Sequence, residues 1–199
     1  GFVAASALLH VFYFIILLRG YRVADLTVVY PLARGSGPLL SSMVAILFLG
    51  VLLAAFGAFG IGGVVAGVFL IAGGPAMLRT ATQGGSGEKR ERTVKGLYYG
   101  LLTGVFIAAY TVVDSYAVKV LLMSPILLDY MGNLVRCVVL APLGLRNRAE
   151  TWRLWQLQWK YALVVAIFSP VAYVLVLYAM QTAPISHVAP AREVSMLFA

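Results

Sequence analysis

Two arginines, Arg34 and Arg192, each follow a proline, Pro31 and Pro190, inside stretches that otherwise admit almost no charge. A proline within a helix cannot donate to the carbonyl four residues back, which is that of Thr27 in one stretch and Ser186 in the other. In hydrocarbon a freed carbonyl and a guanidinium both need a protein partner or water. Both arginines are therefore expected to face a polar interior. There a guanidinium can grip a carboxylate or phosphonate with two parallel bonds. The structural alternative is that each arginine only bonds carbonyls or reaches for the interface.

The acid of the set is Asp114, the one carboxylate between Val94 and Leu128. It falls with Tyr99, Thr103 and Tyr110 within about 60° on a helix. Ser6, His10 and Tyr13 share a face of the first apolar run. Tyr30 precedes Pro31, and Ser169 is followed four residues on by Tyr173. An ionised carboxylate at membrane depth needs a partner or a proton, so Asp114 is the candidate for proton coupling. The expected solute-binding set is Tyr13, Tyr30, Arg34, Tyr110, Asp114, Tyr173 and Arg192, with the rings offering apolar and cation–π surface. Secondary candidates are His10, Asn133, Ser169, His187 and Glu193. Asp129 and Arg136, seven apart on one helical face, flank Asn133.

The elements that carry these residues follow from composition. The chain of 199 residues is 62% hydrophobic and 11% charged, with a mean hydropathy of +0.94. A soluble domain carries about 25% charged residues. Continuous apolar runs match a hydrocarbon core of roughly 30 Å, and alternating strands of a barrel are absent from the pattern. The expectation is an all-α membrane protein with seven spans near 1–18, 24–50, 51–78, 96–118, 124–145, 161–182 and 184–199. Gly50 would mark a tight turn. Glycines at 96, 100 and 104, and at 63 and 67, form ridges that let helices approach closely in lipid. The segment 79–95 reads as a basic Gly/Ser-rich loop. The segment 146–160 carries Trp152, Trp155 and Trp159 on one face and reads as a short interfacial helix. The net charge of +8 lies between apolar runs, which points to lipid and membrane orientation rather than nucleic acid. One cysteine, Cys137, forms no internal disulfide, and no metal or cofactor motif appears. Both ends lie inside apolar runs, so further helices are expected on either side.

A shift of 159 residues lays "ADLTVVYP" on "APISHVAP", Pro31 on Pro190, with an arginine close behind each proline. Transporters often descend from such duplicated halves. "VVYPLARGSGPLL" and "SHVAPAREVSMLF" together resemble the EamA domains of the drug/metabolite transporter superfamily. That resemblance implies ten helices as two five-helix inverted repeats. It would place 1–78 in the first repeat and 96–199 in the second, with the first two helices and the tenth outside this chain. Many family members carry Gly-Glu after the fourth helix, where this chain has Gly50-Val51.

The function expected is secondary transport of a small organic metabolite, anionic or zwitterionic, by alternating access through a midplane cavity between the repeats. The setting is a multi-pass protein of the inner or plasma membrane, with a second copy of the chain as a candidate partner. An enzymatic role is not expected, since no HExxH or GxSxG occurs. An intramembrane enzyme on a lipid-linked substrate, or a non-transporting scaffold, remains an alternative. The basic segments 79–95 and 146–160, two spans apart, belong on one side. The positive-inside bias puts that side in the cytoplasm, whereas the usual family arrangement puts it outside.

Overall fold

The computed structural model describes residues 1–48, 55–83 and 87–192, and every regular element among them is helical. In chain order these are α1 (Phe2–Val23), α2 (Leu26–Phe48), α3 (Ala55–Ile71), α4 (Gly74–Gln83), α5 (Gly87–Lys119), α6 (Pro125–Leu145), α7 (Arg148–Thr182) and α8 (Ile185–Arg192). The expected turn at Gly50 lies outside the described residues.

Among the described residues four helices, α1, α5, α6 and α7, are long and apolar enough to cross a membrane, and the bent pair formed by α3 and α4 gives a fifth if it is counted as one span. The two remaining spans of the seven expected do not meet that test for separate reasons. Helix α2 is diluted by two prolines, Arg34 and several glycines and serines. Of the last expected span only α8 is described, eight residues long, and residues 193–199 lie outside the described residues. The α3–α4 bend is 58°. It sits on Gly73 and Gly74, both in the left-handed region at φ 111° and 52°, which a side chain would disfavour.

The charged segments differ from expectation. Residues 79–83 close α4 and 87–95 open α5, so the expected loop is helix on both sides of 84–86. The tryptophan segment is not a separate helix but the first turns of α7, which runs unbroken for 35 residues. At 1.5 Å per residue α7 is about 52 Å long, well beyond a roughly 30 Å core.

The chain forms two compact units, one of Gly1–Val11 with Val113–Thr182, the other of Phe12–Val112 with the segment from Ala183 onward. In the second unit the glycine ridge of α5 lies against α2. A Cβ on Gly96 would stand 3.1 Å from Val28, one on Gly100 2.8 Å from the Leu32 Cβ, and one on Gly104 would strike the Ser36 hydroxyl and come 2.9 Å from its Cβ. Partner and glycine advance together by four, so α2 and α5 run in the same direction along this seam. At Gly63 and Gly67, where a ridge was also expected, a Cβ meets nothing within 4 Å among the described residues. Val28, Ala72 and Met77 close the core at one end with Leu32, Phe69 and Leu97 around them. Ala45 packs with Ile185 and Ala189 of α8. In the first unit α6 packs on α7, and α6 starts at Pro125 behind an extended Ser124, where the missing amide hydrogen costs nothing.

Candidate functional site

The backbone treats the two proline motifs alike. The Asp25 carbonyl accepts from the amides of Val28 and Val29, and the Pro184 carbonyl from those of His187 and Val188, at 3.0–3.2 Å. These positions coincide under the 159-residue shift. Pro31 and Pro190 are then each the sixth residue of their helices, α2 and α8. Pro31 is buried and Pro190 half-buried.

In the unit that contains both motifs, the arginines and tyrosines assemble. Arg34 and Arg192 both lie within electrostatic reach of the Tyr13 hydroxyl. The Arg34 guanidinium sits over the Tyr30 ring at 5.7 Å. The rings of Tyr13 and Tyr110 lie 5.8 Å apart at 60°. Five of the seven expected residues thus share one neighbourhood, supplied by α1, α2, α5 and α8. Three buried hydroxyls of the same unit, Ser42, Thr111 and Ser186, have no hydrogen-bond partner among the described residues. Buried polar groups are normally satisfied, so these mark an interior able to take up water or a polar solute.

Asp114 and Tyr173 belong to the other unit and form their own cluster. Asp114 is 1% exposed, Ser6 5% and His10 7%. The Tyr173 hydroxyl donates a hydrogen bond to Asp114 Oδ2. Among the described residues Asp114 Oδ1 is buried without a partner in hydrogen-bonding geometry, although the Ser6 hydroxyl neighbours the carboxylate. His10 Nδ1 lies 2.9 Å from the Ser6 carbonyl oxygen, and its ring meets Tyr173 edge-on at 5.7 Å and 86°. On α6, Asn133 donates to Asp129 Oδ2 at 2.9 Å and Arg136 pairs with Asp129 Oδ1 at 3.4 Å. Arg136 and Asp129 are also the charged neighbours of Asp114.

Ser169 and His187 join neither cluster through any described contact, and both side chains are exposed. Glu193 lies outside the described residues. Sequence reasoning missed Tyr21, which neighbours Tyr30 and Arg34. Its signal was a spacing of eight from Tyr13, about 80° round a helix, but the first span was ended before it, whereas α1 runs on to Val23.

The arrangement offers fixed cations, aromatic walls and a buried acid. Among the described residues no group of His, Cys, Asp and Glu could hold a metal ion. A model of the EamA-like transporter family matches residues 94–199. No curated protein and no solved structure matches the chain.

Proposed function

The chain belongs to the EamA-like transporter family, and from that premise we propose that it is a secondary transporter of small anionic or zwitterionic metabolites, working by alternating access. The observation that carries this reading is the approach of Arg34 and Arg192 to one tyrosine, Tyr13, from two helices that begin in the same register. Equivalent parts of a duplicated chain that meet around a charged group are how many transporters build a solute site. The family match to 94–199 supports reading that stretch as the second repeat. The arginines and the rings of Tyr13, Tyr30 and Tyr110 bind the solute. Asp114, buried and held by Tyr173, carries the coupling proton. A neutral acid costs far less to bury than an ion, so its protonation state is tied to which surroundings it meets.

The test is uptake in proteoliposomes of a panel of amino acids, carboxylates and phosphonates, with and without a pH gradient. Asp114→Asn abolishes the response to pH while the protein still inserts. Arg34→Ala weakens solute binding by about 1.5–3 kcal/mol, the usual worth of a bond to a charged group. Both variants transporting like the parent chain would place the site elsewhere.

A further inference from the structure

We propose that the tryptophan-bearing first turns of α7 are a binding surface for anionic phospholipid, with Arg148 and Lys160 holding headgroup phosphates at the two ends of a row of three indoles.

The row follows from helix geometry. Arg148, Trp152, Trp155 and Trp159 stand at offsets of 0, 4, 7 and 11. At 100° per residue they fall within about 60° of one another, on a stripe about 17 Å long, and α7 is unbroken over this stretch. All three indoles are exposed. Lys160 Nζ lies over the Trp159 ring at 5.8 Å, which sets a second cation at the far end of the stripe from Arg148.

The charges select what covers it. Residues 146–160 hold four arginines and lysines and a single acid, Glu150. Glu150 is taken by Arg153 at 2.9 Å. Among the described residues Arg146, Arg148 and Lys160 meet no carboxylate, and all three are exposed. The same helix continues through the apolar stretch 161–182 and is long enough to cross a membrane. Its surplus over a core of roughly 30 Å is about 20 Å, the length of 148–160. The stripe therefore stands at the headgroup layer, where indoles are favoured and lipid phosphates are the anions at hand. A free inorganic anion would answer the cations and leave the indoles in water. A phospholipid answers both, its phosphate meeting the cations and its upper acyl chains the rings. A zwitterionic lipid carries a cation of its own beside each phosphate, so this surplus of positive charge selects lipids of net negative charge.

The three tryptophans of the chain all lie in this stripe, so intrinsic fluorescence reports on it alone. The full chain is reconstituted in mixtures of phosphatidylcholine and phosphatidylglycerol, with a nitroxide quencher at the top of an acyl chain of one lipid and then of the other. Quenching against composition gives the relative affinity of the two lipids at the stripe. The expected preference for phosphatidylglycerol is about fivefold, the worth of one basic side chain at an anionic surface, and it shrinks in strong salt. Arg148→Gln with Lys160→Gln brings it close to parity; both side chains are exposed, and unchanged helical circular dichroism confirms the fold. Glu150→Gln releases Arg153 and raises the preference. Equal quenching by the two lipids, a preference that survives the double variant, or indoles that neither lipid quenches because protein or water surrounds them would each overturn the proposal. So would loss of the preference on adding inorganic phosphate at constant ionic strength, which would make the site one for a free anion.

Discussion

The glycines of α5 and α3 share a spacing but not a fate, and one substitution separates them. Gly104→Ala puts a Cβ 2.9 Å from the Ser36 Cβ and 3.1 Å from the Gly37 backbone nitrogen, besides striking the Ser36 hydroxyl. Ordinary contact begins near 3.4 Å, so α2 must retreat by about half an ångström along its tightest seam. It cannot do so freely, because a neighbouring turn is equally close: the Gly100 position stands 2.8 Å from Leu32. Overpacking of this kind costs about 1–3 kcal/mol. Gly67→Ala adds the same atom where nothing lies within 4 Å and gains only the helix preference of alanine, about 0.5–1 kcal/mol. That preference is common to both variants and cancels in their difference. Gly104→Ala should therefore be less stable than Gly67→Ala by about 1–3 kcal/mol, read as thermal loss of helical circular dichroism in one detergent. Adding Ser36→Ala to Gly104→Ala removes the nearest clashing atom and should restore part of the loss, while the Gly37 contact remains. A Gly104→Ala protein as stable as Gly67→Ala would refute the close seam between α2 and α5.

Leu122 holds φ 52° with a side chain 79% exposed. A left-handed conformation costs an L residue about 1–2 kcal/mol, so Leu122→Gly, after its own entropic cost, should raise stability by about 0.5–1 kcal/mol in the same assay. Arg136→Met strands the Asp129 carboxylate, which is 6% exposed. The loss expected is about 2 kcal/mol, below the 3–5 of a fully buried pair because Arg136 is itself 25% exposed. The double variant with Asp129→Asn should recover most of it, and simple additivity would show that the pair is not coupled.

Sequence spacing was a sound guide where it constrained the backbone and a poor one where it needed a neighbour. Pro31 and Pro190 were legible as a repeated pair, but expected as helix breakers they lie inside α2 and α8, which run on past them. The ridge at Gly96, Gly100 and Gly104 was legible as permission for close approach. The pattern at Gly63 and Gly67 gives the same permission, and nothing among the described residues uses it. The segments opening α5 and α7 were read as loop and short helix because they are charged. Yet Glu88 with Arg92, Glu91 with Lys95, and Glu150 with Arg153 form pairs along one turn of helix, the pattern of a solvated helical face. Asp114, His10 and Ser6 were visible as polar residues on apolar faces. Ser169 and His187 looked the same in sequence, and only packing separates a buried hydroxyl or imidazole from an exposed one.

The shared direction of α2 and α5 also sorts the charge of the protein. Two helices that run the same way need a return between them, which α3 and α4 supply together. Asp25, the end of α4 and the start of α5 then lie at one end of the second unit. Arg19, Arg22, Arg79 and the run from Lys89 to Lys95 collect there, while Arg34 and Arg192 sit within its helices. A protein with so lopsided a distribution has one direction of insertion that the translocation machinery favours. A Lys89→Cys variant in a Cys137→Ser background should accordingly resist an impermeant maleimide in intact cells and react once the membrane is opened. Labelling from outside would mean that these charges do not set the orientation.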